Sequence, residues 1–510
     1  MSEERPLVLD VDGTFLRTDM LYECFWGGLG RDPIQTIKTA ATHFNDRSVL
    51  KRRMAEIASP RTDLLPVNED VRQLALKAQA EGREVVLASA SDSALVQAVA
   101  REHGLSGRVF ASEPGHNLKG AAKADALVEA YGEGGFDYAG NEPVDKAIWD
   151  RAHGAVIVGD YPEIAAELEA KGKQVTRIDD GWTARGLLKA LRPHQWVKNI
   201  LLMVPMIASH YFDWSTVFTV MMGIVAFSFA ASSIYIVNDL LDLEADRLHA
   251  TKHRRPFASG RVPIRVGMAA WAVLTALAVG IGLAISAGFL AVVLLYMLLS
   301  LSYSLKLKRL RWVDIATLAG LYTLRVVAGA LAVNVYVSGY LLVFIFPTFV
   351  TLGCVKRLTE VTLAVNDERL PGRGYGRPDR GDLLNVAWLG TFGALLTFFL
   401  YTFTEQAHDL YPTRWLLWVA MVPLFLWLWR MVRLGYQGKQ DYDPIVFALR
   451  DKHGLGLIFI MLAIMWAYSG WHFVTPVAEE IRNPRRDIPL ALLGGIGILT
   501  VLYVGANLAF

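Results

Sequence analysis

Four polar residues with regular spacing lie near the end of a long apolar stretch: Asn238, Asp239, Asp242 and Asp246. On a helix the three aspartates at i, i+3 and i+7 share one face, so their oxygens could converge on hard cations that also hold a diphosphate. Acidic residues against a membrane segment are costly and are by default functional candidates. Basic residues that suit a phosphate-bearing substrate follow directly: His249, Lys252, His253, Arg254 and Arg255. The pattern predicts a magnesium site, and the alternative is an ordinary charged loop beside a membrane.

A second acidic pair, Asp10 and Asp12, lies near the amino terminus. The continuous apolar run Leu7-Val8-Leu9 directly before it predicts a buried parallel strand. Ligands of open α/β sheets bind at the carboxyl ends of the strands. The two aspartates therefore predict a second site at such an edge.

Two more strands are predicted, at 84–88 and 136–139, and polar residues follow both of them: Ser89 after the first, and Asn141 and then Asp145 after the second. Helix-length segments lie between the strands, at 71–80 and 94–103. Strands that alternate with helices predict an α/β fold for this region.

The two halves of the chain differ in composition. With 510 residues, 53% hydrophobic and 20% charged, the chain is too long for one domain and too apolar for a wholly soluble protein. Charges are frequent up to about Thr183, whereas apolar runs of membrane length recur beyond Asn199. We place the predicted domains at 1–182, 183–466 and 467–510. Cys24 and Cys354 cannot form a disulfide framework, which agrees with a reducing cytosol.

Nine membrane spans are predicted, at 199–212, 216–237, 266–285, 288–304, 312–332, 339–355, 384–403, 413–430 and 453–468. Lys and Arg are frequent in the connections after the even-numbered spans, whereas the other connections show only Arg414. The positive-inside rule then places the soluble domain and the acidic motif on the cytoplasmic side. We expect a multi-pass protein of the inner (plasma) membrane.

The acidic motif resembles the NDxxDxxxD signature of the UbiA-type intramembrane transferases. The preceding stretch, Arg192-Pro193-His194-Gln195-Trp196-Val197-Lys198-Asn199, is similar to a motif of the decaprenyl-phosphate phosphoribosyltransferase branch. That branch moves 5-phosphoribose from phosphoribosyl diphosphate to a polyprenyl phosphate. The resemblance runs from about Arg192 to about Trp466. It implies that Asn238, Asp239, Asp242 and Asp246 hold Mg²⁺, and that Asp239 and Asp242 are catalytic.

Further motifs of the same branch follow in order. The stretch from Tyr303 to Lys308 with Asp314 is similar to the second conserved region, and Lys356, Arg357 and Glu360 are similar to its Lys-Arg-x-x-Glu. The resemblance implies a substrate-binding set: Lys198, Lys252, Arg255, Lys306, Asp314 and Arg325. Arg325 could instead snorkel or pair structurally with Asp314. The basic, Gly-rich stretch 372–377 could close over the substrate or touch lipid headgroups.

The amino-terminal region resembles the haloacid dehalogenase phosphatase superfamily, with the insert from about Thr18 to Arg61 as its helical cap. The resemblance implies a Rossmann-type sheet and the following roles: Asp10 attacks phosphorus, Asp12 acts as general acid and then base, Ser89 holds a phosphoryl oxygen, and Lys123, or less likely Lys119, neutralises charge. Mg²⁺ would be held by Asp10, Asp12, Asn141 and Asp145. The family usually carries Asp at the position of Asn141, so a catalytically silent domain is the alternative.

The last segment, 467–510, resembles the middle of an amino-acid/polyamine permease. Some forty residues are covered, too few for a transport site built from two broken helices. With nine spans from a cytoplasmic start, its basic residues would lie outside, against the positive-inside rule: Arg482, Arg485 and Arg486. We interpret the segment as a fusion or a mis-called terminus, and the alternative is a tenth span peculiar to this protein.

The predicted fold is multi-domain, with an α/β domain followed by an all-α membrane bundle of about nine helices and one extra C-terminal helix. The predicted function is Mg²⁺-dependent transfer of 5-phosphoribose to a polyprenyl phosphate, after which the α/β domain removes the 5-phosphate. The alternatives are transfer of a prenyl chain from a prenyl diphosphate to an aromatic or other small acceptor, and amino-acid transport. Expected partners are polyprenyl phosphate or another isoprenoid lipid, the diphosphate donor and the bilayer, with no nucleic acid.

Overall fold

The computed structural model describes residues 5–478, apart from 114, 210–211, 336–337, 365–366, 371–372, 411–413 and 441–442, and it also describes residue 486. The described chain divides into two units. The first unit holds residues up to 199 together with 221–297, and the second holds 200–220 and the described residues from 298 onwards.

The first unit contains a six-stranded parallel sheet with the order β3-β2-β1-β4-β5-β6. Its strands are β1 Leu7–Asp10, β2 Val85–Asp92, β3 Val109–Ser112, β4 Asp137–Gly140, β5 Gly154–Val158 and β6 Gln174–Ile178. The apolar residues of β1 are buried and lie between β2 and β4. The segments that follow β1, β2 and β4 must therefore meet at one edge of the sheet.

Among the described residues up to 199, nine α-helices accompany the strands: α1 Met20–Arg31, α2 Pro33–Thr42, α3 Arg47–Ala58, α4 Glu69–Ala80, α5 Ser93–Glu102, α6 Ala121–Tyr131, α7 Lys146–Trp149, α8 Pro162–Ala170 and α9 Ala184–Ala190. The predicted insert after Thr18 forms α1, α2 and α3. Each of these helices begins at an aspartate whose side chain accepts a hydrogen bond from a backbone amide of the first turn, at Asp19, Asp32 and Asp46. The predicted α/β domain is confirmed.

The rest of the described chain is helical, with α10 Val204–Ala208, α11 Trp214–Leu241, α12 Leu243–Leu248, α13 Ile264–Ile285, α14 Ala287–Leu305, α15 Val313–Ala332, α16 Gly339–Thr362, α17 Arg380–Tyr401, α18 Glu405–Leu410, α19 Arg414–Tyr436, α20 Pro444–Ala448 and α21 Lys452–Ala478. Within the described residues, seven helices are long and apolar enough to cross a membrane: α11, α13, α14, α15, α16, α17 and α19. Leucines on their outer surfaces are widely exposed, as lipid-facing residues are: Leu283, Leu298 and Leu389. The protein is therefore a membrane protein.

The structure differs from the prediction at the first and last spans. Residues Pro193–Met203 form a 3₁₀ helix and are followed by the five-residue helix α10, so no long α-helix covers the described part of 199–212. Pro205 lies in the first turn of α10, where its missing N–H is tolerated. At this position it would interrupt a long α-helix that began before it. At the other end, α21 continues past the predicted boundary at 466 as far as Ala478. The predicted tenth span lies outside the described residues.

Within the first unit, helix α1 of the α/β domain lies against α12. Glu23 and Arg247 form a bidentate ion pair with N–O distances of 2.5 and 3.1 Å, and both side chains are buried. The Thr18 hydroxyl also donates to Glu23 at 2.6 Å, and Nε of Arg247 donates to the carbonyl of Ala258 at 3.0 Å. A buried, fully hydrogen-bonded ion pair therefore fastens the α/β domain to the helix that carries Asp246.

Removal of one partner of this pair should destabilise the protein. Glu23→Gln leaves the Arg247 guanidinium buried without its counter-charge, which costs about 3–5 kcal/mol. We expect a clear fall in the Tm of the purified protein. Glu23→Leu combined with Arg247→Met removes both charges at similar volume and should recover most of the lost Tm.

The control is Glu56→Gln, since Glu56 is half exposed on α3 and pairs only with exposed arginines. Its effect should stay within about 0.5 kcal/mol. An unchanged Tm for Glu23→Gln would show that the contact between α1 and α12 does not contribute to stability.

Candidate functional site

The acidic motif spans a helix junction. Helix α11 ends at Leu241, α12 begins at Leu243, and Asp242 lies between them with φ −100° and ψ 13°. The helix over this motif is therefore bent at Asp242. The amide of Asp242 still donates to the carbonyl of Asn238 at 3.0 Å, and the amide of Asp246 donates to that of Asp242 at 2.7 Å. The helical spacing thus continues through the bend and keeps Asp239 and Asp246 on one side.

Arg255 lies between these two aspartates. Its Nη1 is 3.1 Å from Oδ1 of Asp239 and 2.6 Å from Oδ2 of Asp246. Arg192 contacts the same oxygen of Asp239 at 2.5 Å. Both carboxylates are buried, with only 3% of each side chain exposed. Burial raises the pKa of the Asp246 carboxyl, and Arg255 opposes that shift. The Arg255 guanidinium thus bridges two buried carboxylates, and Arg192 adds a second positive charge at Asp239.

The donor set at this motif fits Mg²⁺. The side-chain oxygen of Asn238 is buried and has no hydrogen-bond partner, and such an orphaned oxygen requires an explanation. A hard cation accepts amide and carboxylate oxygens alike. Among the described residues, no three acidic, His or Cys side chains converge closely enough to hold a metal alone. The Asn238 amide and the oxygens of a bound substrate would therefore have to complete the coordination.

The residues before the motif are fastened to α11. Nε1 of Trp196 donates to the hydroxyl of Ser232, and Nδ2 of Asn199 donates to that of Ser228, both at 2.9 Å. Arg192 adopts φ +53°, a conformation that is uncommon for a residue with a side chain. This strained position holds its guanidinium at Asp239. Sequence reasoning placed Arg192 in a motif but missed its contact with the carboxylate.

The predicted basic residues are distributed unevenly. Arg255 lies in the site, whereas Lys252 is exposed in a short 3₁₀ helix, Lys252–Arg254. Lys198 is buried in the first unit. Lys306 is exposed at the end of α14, in the second unit.

A second charged cluster lies in the second unit, around Asp314. This residue and Arg357 are fully buried and form a bidentate pair with N–O distances of 2.5 and 2.8 Å. Arg357 also binds Glu360 at 2.5 Å and the hydroxyl of Tyr303 at 2.8 Å. That hydroxyl donates to Asp314 at 2.9 Å and accepts from Arg373 at 3.2 Å. Arg373 is a quarter exposed, so it is the cation of this cluster that solvent reaches.

Arg325 does not belong to that cluster. It lies eleven residues after Asp314 on α15, which is about 16 Å along the helix axis. Its Nη1 donates to the carbonyl of Leu321 at 2.7 Å, and its guanidinium lies 5.5 Å from the ring centre of Tyr322. Because Asp314 is bound by Arg357, the alternative of an Arg325–Asp314 pair is wrong.

The described part of the basic, Gly-rich stretch packs onto the same cluster. Tyr375 is fully buried, and its hydroxyl accepts a hydrogen bond from the amide of Trp312 at 2.6 Å. A side chain at Gly374 would lie 2.7 Å from the amide nitrogen of Arg311. The close approach that glycine permits therefore brings Arg373 to Tyr303.

The sheet edge of the first unit brings together the predicted residues of the α/β site. Nζ of Lys123 is 2.6 Å from Oδ1 of Asp10 and 3.1 Å from the hydroxyl of Tyr138. That hydroxyl donates to Asp145 at 3.2 Å. Lys119, the less favoured candidate, is half exposed and pairs with Glu142 instead. Sequence reasoning missed Tyr138, which sits inside β4 and resembles an ordinary core residue.

Asp10 and Lys123 influence each other's pKa values. Burial raises the pKa of Asp10 to about 7, and Lys123 is the largest opposing influence. Burial disfavours the charged form of Lys123, but the carboxylates of Asp10 and Asp145 outweigh it and raise its pKa. The lysine therefore stays charged beside the proposed nucleophile.

Protein donors hold the other aspartate of this edge. Oδ2 of Asp12 accepts from the hydroxyls of Ser89 and Ser91 at 2.8 and 2.7 Å, and Oδ1 accepts from the amide of Met20 at 2.8 Å. Sequence reasoning missed Ser91, although it lies two residues after Ser89 on the same side of β2. These three donors fix Asp12 in position.

Asn141 contacts the loop after β1. Its Oδ1 accepts from the hydroxyl of Thr14 at 3.1 Å, and a side chain at Gly13, whose φ is +79°, would lie 2.2 Å from its Nδ2. One oxygen of Asp145 accepts from the amides of Asn141 and Glu142, both at 3.0 Å. These oxygens are occupied by protein donors and Asn141 is neutral. Binding of Mg²⁺ by Asp10, Asp12, Asn141 and Asp145 stays a prediction, since a metal would have to displace several of these donors.

Comparison with known proteins identifies the membrane part. A model of the UbiA prenyltransferase family matches residues 200–362. The chain is 33% identical over 453 residues to the uncharacterized protein y4nM of Sinorhizobium fredii, with 88% of each chain covered. It is 30% identical over 290 residues to the decaprenyl-phosphate phosphoribosyltransferase of Corynebacterium glutamicum, covering 56% of this chain and 85% of that protein. A structure of a UbiA homolog from Archaeoglobus fulgidus bound to GPP and Mg²⁺ aligns with 56% of this chain and 99% of that chain, at 16% identity and a TM-score of 0.41.

A second family model, of the amino acid permeases, matches residues 415–510. This match begins well before the predicted boundary at 467. In the second unit, Met431 and Val432 of α19 are buried in clusters with Leu352 and Val355 of α16. Helix α19 therefore shares a core with the helices that the first family model matches.

The similarity to y4nM and to the phosphoribosyltransferase extends over most of the length of both relatives. Together with the family match and the apolar helices, it establishes what kind of protein this is. The chain belongs to the UbiA prenyltransferase family.

Proposed function

We propose that this protein transfers 5-phosphoribose from phosphoribosyl diphosphate to a polyprenyl phosphate, and that its α/β domain then hydrolyses the 5-phosphate of the product. The observation that carries the proposal is the acidic motif, where Asp239 and Asp246 are buried around the Arg255 guanidinium beside the orphaned Asn238 oxygen. The similarity to decaprenyl-phosphate phosphoribosyltransferases supports this choice of donor and acceptor.

In the transfer step the acceptor phosphate oxygen bonds to C1 of the ribose while the bond from C1 to the diphosphate breaks. Mg²⁺ held by Asn238, Asp239, Asp242 and Asp246 would supply positive charge to the leaving diphosphate. Arg255 and Arg192 donate charge-assisted hydrogen bonds to its oxygens, in exchange for those they make with the carboxylates. Lys252 is exposed and lies three residues before Arg255, and it adds positive charge for the diphosphate. The positive-inside bias of the loops supports a cytoplasmic site.

The cluster around Asp314 has a separate role in this proposal. The buried pair with Arg357 holds the Tyr303 hydroxyl, and that hydroxyl orients Arg373. A partly exposed guanidinium held in this way is suited to bind a substrate phosphate. Lys306 and Arg325 remain proposed substrate contacts on the basis of the resemblance alone.

In the α/β domain, a carboxylate oxygen of Asp10 attacks the phosphorus of the ester. The bond from phosphorus to the ribose oxygen breaks, Asp12 gives that oxygen a proton, and Lys123 stabilises the charge on the phosphoryl group. Water, deprotonated by Asp12, then releases inorganic phosphate from Asp10. Ser89 and Ser91 hold Asp12 in position for both proton transfers.

Loss of one carboxylate from the acidic motif should abolish transfer. Asp239→Asn or Asp242→Asn removes charge without removing volume, and we expect transfer from labelled phosphoribosyl diphosphate to fall about 100-fold or more, the scale for loss of one charge-stabilising group. The matched control is Glu244→Gln, because Glu244 lies on α12 but is half exposed and makes only a 3.7 Å pair with Arg31.

Near-normal transfer by either aspartate variant at saturating Mg²⁺ would remove that residue from the site. The rival function, prenyl transfer, is tested with a labelled prenyl diphosphate and an aromatic acceptor. It would be favoured if this donor, and not labelled phosphoribosyl diphosphate, gave a labelled lipid product.

Arg373→Ala should weaken donor binding more than it affects the fold. One charge-assisted hydrogen bond contributes about 1.5–3 kcal/mol, so the KM for phosphoribosyl diphosphate should rise at least about tenfold while Tm changes little. Arg377→Ala is the control, since Arg377 is half exposed and its Nη1 lies 3.9 Å from Oδ1 of Asp367. Equal KM values for both variants would contradict a phosphate-binding role for Arg373.

Asp10→Asn should make the phosphorylated lipid accumulate, because only the nucleophile of the hydrolysis is lost. Thin-layer separation of lipid products from wild type and variant measures this, with Asp125→Asn as the control because Asp125 is largely exposed. If wild type and Asp10→Asn give the same phosphorylated lipid, the α/β domain is catalytically silent.

A further inference from the structure

A cleft opens at the α/β site, and its walls come from two parts of the chain that are distant in sequence. One wall holds Asp12 and Asn141 at the sheet edge. The opposite wall holds Pro263, Ile264 and Arg265, which lead into the membrane helix α13. All of these residues belong to the first unit. The α/β domain alone would therefore have an incomplete cleft.

Specific contacts close the cleft at its edges. Nη1 of Arg265 lies 3.5 Å from Oε1 of Glu142, which directly follows Asn141. Gly260 has φ +70°, and a side chain there would lie 2.6 Å from the Cβ of Arg17. Only glycine permits that conformation and that close approach together. The loop before α13 is thus fitted to the α/β domain.

The cleft lining holds two guanidiniums, those of Arg17 and Arg265, and four carboxylates: Asp12, Asp19, Glu142 and Asp180. The carboxylates already accept hydrogen bonds or ion pairs from protein donors. Arg265 is more than half exposed, and its contact with Glu142 is long, at 3.5 Å. Its remaining donors can therefore bind a phosphate oxygen, whose geometry guanidinium groups match.

The remaining lining suits a sugar. Aromatic residues line the space between the two walls: Tyr22, Tyr161 and Trp182. Their amphipathic rings can pack on a sugar and still hydrogen-bond to it.

The position of the second wall relates the cleft to the bilayer. Helix α13 has 22 residues, Ile264–Ile285, and a helix of that length spans roughly 33 Å, about the thickness of a bilayer core. Its first residues, Ile264 and Arg265, therefore lie at the membrane surface. A headgroup can occupy the cleft while the chain that anchors it stays in the bilayer.

We propose that this composite cleft binds the headgroup of a lipid-anchored phosphomonoester, with the terminal phosphate at Asp10 and with Arg265 bound to the phosphodiester that joins the headgroup to its lipid. The α/β domain then acts on membrane-anchored sugar phosphates in preference to free ones. This inference rests on the proposed phosphatase activity and adds a second contact for its lipid-linked substrate. Arg265 acts here as a specificity residue contributed by the membrane part of the chain.

The test uses the full-length protein in nanodiscs and compares phosphate release from polyprenyl-phosphate-linked ribose 5-phosphate with release from free ribose 5-phosphate. We expect wild type to have the higher kcat/KM for the lipid ester. In Arg265→Ala the ratio of the two kcat/KM values should fall about tenfold, mainly through the KM for the lipid ester, and Arg265→Lys should restore part of it. Arg261→Ala should keep the wild-type ratio, because Arg261 is exposed and outside the cleft lining.

Equal kcat/KM values for the two substrates in wild type, or an Arg265→Ala ratio equal to that of wild type, would overturn the inference. If phosphate is released from neither substrate, the proposed phosphatase function is wrong. Binding of the lipid ester then tests the cleft separately. Retention of labelled lipid ester by wild type but not by Arg265→Ala supports the cleft, whereas equal retention by both overturns it.

Discussion

The pairing of buried carboxylates with buried cations is the constraint on which the rest of the structure depends. Asp239 and Asp246 share Arg255, and Asp314 is bound through two nitrogens by Arg357. A carboxylate removed from water is stable only with a counter-charge, and loss of one partner costs about 3–5 kcal/mol. The pairs explain how so much negative charge remains at the ends of membrane helices.

The same constraint links the parts of the first unit. Helix α1 begins at Met20, whose amide binds Asp12 of the α/β site, and three residues later Glu23 binds Arg247, the neighbour of Asp246 in sequence. One short helix therefore contacts a residue of the α/β site and the sequence neighbour of a residue of the acidic motif. An enzyme that makes a lipid-linked phosphate and then hydrolyses it would gain from such a fixed arrangement.

Much of the α/β fold could be predicted because its signals are local. The apolar run of β1 and the polar residues after β1, β2 and β4 indicate a sheet edge with a site, and the parallel order brings them together. The strands β3, β5 and β6 were not predicted, and β6, at the edge of the sheet, is largely exposed and lacks an apolar pattern. The first membrane span was misjudged because apolar composition does not reveal where a proline prevents a long helix.

The candidate sites were predicted less completely than the fold, since sequence spacing indicates which residues share a face but not which distant residues meet them. Arg192 and Asp239 are 47 residues apart, and Asp314 and Arg357 are 43 apart. Tyr303 and Arg373 stand in recognisable motifs, yet their shared hydrogen bond depends on the fold of the second unit. Such pairings follow from tertiary packing alone.

The most direct test of the central claim follows both chemical steps in one sample. Wild-type protein in liposomes with polyprenyl phosphate and Mg²⁺ is given phosphoribosyl diphosphate that carries a carbon label in the ribose and a phosphorus label in the 5-phosphate. Both labels should enter the lipid together at early times, after which the phosphorus label should leave the lipid while the carbon label stays. Absence of the carbon label from the lipid, under conditions where a prenyl diphosphate reacts, would contradict the account.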